Sequence, residues 1–142
     1  MNVLIDTPIW SLAFRHWPAQ TDKMQEMYVV ELSELINEMR AQIIGPIRQE
    51  ILSGISNEAQ FQKLRAHLRP FEDLTIHSED YEHAAECFNL CRSQGIQGAH
   101  IDFLICAVAE RYNIPIFTTD KDFSLYANYL PISLHQPRPG GR

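Results

Sequence analysis

Four acidic residues stand where chemistry is possible: Asp6, Glu50, Asp102 and Asp120. Asp6 ends the apolar run Val3-Leu4-Ile5, and Asp120 follows Ile116-Phe117 after two threonines. Both runs read as short buried strands, and in sheets of alternating strands and helices, sites lie beyond the carboxyl ends of the strands. Asp102 adjoins Ile101 on a helical pattern. At about 100° per residue it stands at the border of the apolar face rather than on the solvent side. Glu50 precedes Ile51 on another helical pattern and reaches that stripe's edge by the same arithmetic. Four acids from four segments are thereby each aimed toward a cleft. Each alone also has an ordinary reading: Asp6 as a strand end or helix cap, Asp120 as an N-cap, and Glu50 and Asp102 as charges on helix flanks.

Carboxylates gathered in one pocket repel one another, and some take up protons at neutral pH. A hard divalent cation removes that conflict. Mg²⁺ and Mn²⁺ prefer oxygen ligands, keep several waters, and bind through a few carboxylates together with substrate phosphate. Such an ion lowers the pKa of a bound water and stabilises a leaving oxygen. The chemistry implied is hydrolysis of a phosphodiester. No Cys–His or Ser–His pair stands at the spacing of a nucleophilic motif.

The elements that must position these acids alternate in kind. Val3-Leu4-Ile5 predicts a first strand, and Thr7-Pro8 a helix start, with Thr7 as cap and Pro8 where its missing N–H costs nothing. Residues 20–40 predict a long amphipathic helix with Met24, Met27, Tyr28, Leu32, Leu35, Ile36 and Met39 on one face. Glu26, Glu31, Glu34 and Glu38 would form its wet side. Ile43-Ile44 predicts a second strand and Gly45-Pro46 the opening of a helix that ends near Gly54. Asn57 to Gln60 looks like a capping box for a helix to about His67. Leu74-Thr75-Ile76 predicts a third strand, and Ser78 the cap of a helix to about Ser93. Residues 99–112 form the clearest helical pattern, with Ile101, Leu104, Ile105, Val108 and Tyr112 as its stripe. Pro115 to Thr118 predicts a strand, Asp120 to Tyr126 a short helix, and Ile132-Ser133-Leu134 a last edge strand. This order predicts an α/β domain, a central parallel sheet with helices on both faces. Residues 1–136 would form it, and residues 137–142, rich in proline and glycine, would stay loose.

The bulk properties agree with one globular domain. The chain has 142 residues, 45% hydrophobic and 21% charged, enough to bury a core without staples. No apolar run reaches the roughly 18 residues that span a bilayer, and Met1 to Asp6 lacks the basic start of a signal peptide. The expected location is the cytoplasm, away from membranes. Three cysteines, Cys87, Cys91 and Cys106, argue against a closed disulfide framework. Cys87 and Cys91, four apart on a predicted helix, have no CxxC or nearby CxxH context and read as small apolar fillers.

At the four acids the chain resembles the PIN-domain family, and within it the VapC-type toxins of bacterial toxin–antitoxin pairs. The matching pieces are Val3-Leu4-Ile5-Asp6-Thr7 with Trp10 following, Gln49-Glu50-Ile51-Leu52-Ser53-Gly54, Ile101 to Ala107 around Asp102, and Phe117 to Phe123 around Asp120. The resemblance implies a doubly wound sheet and RNA cleavage with Mg²⁺ or Mn²⁺. It places Asp6, Glu50, Asp102 and Asp120 at the catalytic positions, with Asp6, Asp102 and Asp120 as metal ligands. It gives Thr118 a supporting place, and Asp122 either an outer-shell role or that of an ordinary first-turn acid. It also implies a cognate antitoxin and a homodimer. Two positions depart from the pattern: Pro8 replaces a common small polar residue, and His100 a small one.

The net charge of −6 runs against nucleic-acid binding, where basic surfaces are usual. Part of it is the acidic cluster itself, which bound cations would offset. Arg15, Arg48 and Lys121 lie near the site in sequence and are candidates for phosphate contacts, or plain surface charges. Trp10, Phe14 and Trp17 form an apolar patch, for the core or for an interface. Two other readings stay open: a PIN-like protein-interaction module without catalysis, and a metal-dependent nuclease acting on DNA.

Overall fold

Val3, Leu4 and Ile5 are each wholly buried, and an uninterrupted buried run is what a parallel strand covered on both faces requires. They form β1 (Val3–Ile5), the middle strand of a three-stranded parallel sheet in the computed structural model, which describes residues 1–14 and 22–139. β2 (Ala41–Gln42) lies on one side in the register Val3↔Ala41 and Leu4↔Gln42. β3 (Ile116–Phe117) lies on the other, with Leu4↔Ile116 and Ile5↔Phe117. Helices α1 (Thr7–Phe14), α2 (Lys23–Asn37), α3 (Gly45–Leu52), α4 (Glu58–Leu68), α5 (Ser78–Ser93), α6 (His100–Tyr112) and α7 (Asp122–Tyr126) complete the order. The chain runs outward from β1 to β2, then returns past β1 to β3. The gap between the carboxyl ends of β1 and β3 is therefore a topological switch point.

The sheet is narrower than the sequence suggests. The second strand falls on Ala41–Gln42, because those residues face β1, while Ile44 already starts the turn into α3. Ile43 makes a single parallel bridge to Asp73, and Leu134 one to Ile116. Thus neither Leu74-Thr75-Ile76 nor Ile132-Ser133-Leu134 becomes a strand. Side chains take the Thr75 carbonyl instead: Arg111 Nη2 donates to it at 2.7 Å and the Tyr112 hydroxyl at 3.0 Å.

The helix starts follow local chemistry, with two shifts from expectation. Asp6, not Thr7, caps α1: its carbonyl accepts from Ile9 N–H at 3.1 Å and its side chain from Thr7 N–H at 2.8 Å. His77, not Ser78, precedes α5, and its N–H donates to Asp80 at 2.8 Å. Asp22 and Gln25 form a reciprocal box at the start of α2, and Asn57 accepts from Gln60 N–H at 2.9 Å. After α3, Gly54 turns the chain at a φ of 85°, a conformation that costs glycine little.

Core burial sets the character of α6. Every residue from Phe103 to Ala109 is buried, so the apolar stripe of the sequence is one side of a helix covered nearly all round. Trp10 is also a core residue: its ring stacks on Phe14 and meets Phe71 edge-on, and its indole N–H donates to the Ile5 carbonyl at 3.0 Å. Trp17, Arg15 and His16 lie outside the described residues. No helix among the described residues is long and apolar enough to cross a membrane.

One surface expectation is corrected. Glu31 is not on a wet face; it is 2% exposed. The segment after Ile132 folds back over α2, so that His135 Nε2 and Arg138 reach the Glu31 carboxylate, Arg138 Nε at 3.0 Å. Arg138 also pairs with Glu34 at 3.3 Å and Glu38 at 2.7 Å. Glu31, Glu34 and Glu38 thus offer three carboxylates to one guanidinium; residues 140–142 lie outside the description. Burial alone would raise the Glu31 pKa, but His135 and Arg138 outweigh it and hold the carboxyl below its usual range.

Arg138→Ala should therefore destabilise the fold, by less than the loss of a fully buried partner because Arg138 is one-third exposed. Urea denaturation measures this. A loss no larger than that of Lys23→Ala, expected within about 0.5 kcal/mol of wild type, would show that the clamp carries no net stability.

Candidate active site

The carboxyl end of β1 delivers Asp6 into the interior. Its N–H continues the ladder by donating to the Phe117 carbonyl at 2.9 Å, which leaves the side chain only 5% exposed. Both carboxylate oxygens are engaged: Oδ1 accepts from Thr7 N–H, and Oδ2 from the Thr118 hydroxyl at 2.7 Å. Thr118 follows β3 directly, and its hydroxyl oxygen accepts in turn from Asp120 N–H at 3.0 Å. One threonine thus spaces the two strand-end acids. Asp120 Oδ1 accepts from Asp122 N–H at 2.9 Å, the first turn of α7.

The two helix-borne acids are held by hydroxyls as well. Glu50, exposed near the end of α3, accepts from the Thr7 hydroxyl. Asp102, in the first turn of α6, accepts from the Tyr126 hydroxyl at 2.7 Å. Tyr126 is wholly buried, with its ring packed between Phe103 and Phe123. Gly98 makes room for it: a Cβ there would lie 2.3 Å from the Tyr126 hydroxyl oxygen and 2.9 Å from the Phe103 ring.

These acids share one electrostatic environment. Burial, with the charges of Asp102 and Glu50 added, raises Asp6 to about 6 despite its hydrogen bonds. Burial also raises Asp102, where Asp120 and Asp122 add to the effect and Tyr126 opposes it. Tyr126 is pushed far above its usual range, first by burial and then by Asp102, so it remains a proton donor. The hydrogen-bond partners of the acids are hydroxyls and backbone N–H groups rather than cationic side chains. No three of the acids bring ligating oxygens within 4.8 Å of one another; among the described residues that proximity occurs only at His83, Cys87 and Glu110.

Asp6 thus interacts with Asp102 and with Glu50, and Asp102 with Asp120 and Asp122. The Thr118 hydroxyl donates to Asp6, and the Asp122 N–H donates to Asp120. Thr7 and Tyr126 escape the sequence reading, Thr7 because it looks like a cap and Tyr126 because it looks like the end of a short helix. Glycine at 98, close before an acid-bearing helix, was the available hint. Arg48 is no phosphate ligand: it binds Asp73 at 3.0 Å and the carbonyls of Leu68 and Phe71. His100 is exposed and stacks on Phe88, ring centres 5.0 Å apart.

The Asp6 shift has a consequence for stability. With its pKa raised from 3.8 to about 6 on folding, the protonated form is favoured in the fold. That stability is fully present below about pH 3.8 and is lost as pH rises through 6. Two pKa units correspond to roughly 3 kcal/mol. In chelator, Asp6→Asn should therefore stabilise the protein near pH 7, by at most about 3 kcal/mol, with the gain shrinking toward about pH 4. Thermal melts across pH test this, and a variant less stable than wild type at neutral pH would contradict it.

The PIN domain profile matches residues 3–129 of the chain. The fold is similar to that of FitAcB from Neisseria gonorrhoeae, with a TM-score of 0.74 and 21% identity over 95% of this chain and 97% of that one. It is similar to VapBC2 from Rickettsia felis, solved bound to a promoter DNA fragment, with a TM-score of 0.70 and 18% identity over 97% and 100%. It is also similar to a toxin–antitoxin complex from Klebsiella pneumoniae, at 0.60 and 19% over 87% and 91%. No curated protein matches the sequence. A three-stranded parallel sheet with acids gathered at its switch point, and a family profile spanning nearly the whole chain, lead to one assignment: this chain belongs to the PIN domain family.

Proposed function

We propose that the chain is a metal-dependent endoribonuclease, the toxin of a VapBC-type toxin–antitoxin pair. The observation that carries this reading is the state of the strand-end acids. Asp6 is buried, raised to about 6 and charged against Asp102 and Glu50, with no cationic side chain among its hydrogen-bond partners. An all-oxygen donor set under mutual repulsion fits a hard divalent ion such as Mg²⁺ or Mn²⁺. Asp6, Asp102 and Asp120 would hold the ion, with Glu50 at the rim. When bound, it supplies a water of lowered pKa and neutralises charge on the phosphate.

The chain's own residues do the positioning. Thr118 joins Asp6 to Asp120 through one hydroxyl. Thr7 draws Glu50 toward the strand end that carries Asp6. Tyr126 keeps one oxygen of Asp102 occupied and so fixes its rotamer. The negative surface disfavours RNA in the absence of the ion, so binding should be modest and cation-dependent. The likeness in fold to a toxin–antitoxin complex supports an antitoxin partner. A homodimer and a cytoplasmic location belong to the same reading.

Cleavage of a mixed RNA pool tests it. Wild type should cut with Mg²⁺ or Mn²⁺ and stop in EDTA, and Asp6→Asn, Asp102→Asn and Asp120→Asn should each be inactive. Equal activity in Asp6→Asn would refute the site. Cleavage of single-stranded DNA but not RNA would move the substrate class, and intact substrate with antitoxin binding would favour a pure interaction module.

Tyr126→Phe keeps the ring and removes the bond to Asp102. It should lower cleavage about 10- to 100-fold, as loss of an outer hydrogen bond to a metal ligand does. The Mg²⁺ activation curve should move to higher concentration. An unchanged curve would mean that Tyr126 serves packing alone.

A further inference from the structure

Away from the acidic cleft, α5 packs along α6 and brings together three different donor atoms. His83 and Cys87 are four residues apart on α5, so they share one face. Glu110 meets them from α6. A ring nitrogen, a sulfur and a carboxylate oxygen all lie within 4.8 Å of one another. Cys87 is buried, while His83 and Glu110 are half-buried. His83 Nε2 lies 2.6 Å from Glu110, and Nδ1 lies 3.0 Å from Glu86.

We propose that His83, Cys87 and Glu110 bind a borderline-soft divalent cation, Zn²⁺ being the representative, at the seam between α5 and α6. A mixed nitrogen, sulfur and oxygen set suits zinc and disfavours Mg²⁺ or Ca²⁺. Three protein ligands leave a fourth position for water. The Glu86 contact supplies the outer carboxylate that metal-bound histidines commonly use: it accepts from Nδ1–H and leaves the Nε2 lone pair for the cation. Without the ion, burial and the charge of Glu110 push the Cys87 thiol up to about 11, so it stays protonated. Binding replaces the thiol proton, and any proton between Nε2 and Glu110, with the cation; these protons pass to solvent. An ion pair would need only His83 and the glutamates. The buried sulfur within reach of the same point completes a chelate.

The site is distinct from the acidic cleft. Glu110 lies eight residues after Asp102, about 12 Å along the helix. Its effect on the cleft would be indirect, by stapling α5 to the helix that carries Asp102.

Cobalt substitution tests the proposal on the purified full chain. Co²⁺ should give a thiolate charge-transfer absorption in the near ultraviolet, and Zn²⁺ should displace it. Zn²⁺ should also raise the melting temperature. His83→Gln and Cys87→Ala should lose the absorption, whereas Cys91→Ala and Asp102→Asn should keep it. His83→Gln changes a side chain near the surface, so the test stands even if Cys87→Ala fails to fold. No thiolate absorption in wild type, its survival in His83→Gln, or its loss in Cys91→Ala would overturn the proposal.

Discussion

The constraint on which the rest depends is the burial of one carboxylate at the end of the central strand. Asp6 continues the β1 ladder into the switch point, where solvent cannot relieve its charge. An acid there is tolerated only when its oxygens are satisfied and its charge is matched or protonated. The Thr7 N–H and the Thr118 hydroxyl satisfy the oxygens. Neither neutralises the charge, and Asp102 and Glu50 make it worse. The fold therefore stores an electrostatic conflict where the two strand ends meet, the usual mark of a site kept for function rather than stability.

Neutral hydroxyls hold the surrounding geometry. Thr7, Thr118 and Tyr126 each donate to one acid without cancelling charge that a cation would require. Their own positions come from the fold: Thr7 from the first turn after β1, Thr118 from the end of β3, and Tyr126 from α7 beneath Gly98. The last is the most demanding, because a single added carbon at position 98 would strike the hydroxyl that reaches Asp102.

Charge is handled differently between α2 and the C-terminal segment. There Glu31 is also buried, but Arg138 and His135 meet it, and its carboxyl is held low instead of being raised. The comparison separates a structural acid from a candidate catalytic one. Both are buried; the difference lies in whether cationic side chains come with them.

Much of this was legible in the amino-acid order. The buried run before Asp6, the helical phase of Asp102, and the threonines before Asp120 determined the class of fold, the strand-end acids and their family resemblance. These depend on neighbours in sequence and on periods of two and 3.6 residues. What tertiary structure decided depends on distant partners. Glu31 looks like one more wet glutamate until a segment about a hundred residues later folds over it. Arg48 looks free until three acceptors surround it. Leu74 to Ile76 has strand-like composition, but a neighbouring helix takes the Thr75 carbonyl. Tyr126 and Asp102 are 24 residues apart, and no local pattern pairs them. Sequence determined which groups carry charge and which face of each element they border; only the packing of those elements determined which charges are matched and which are left opposed.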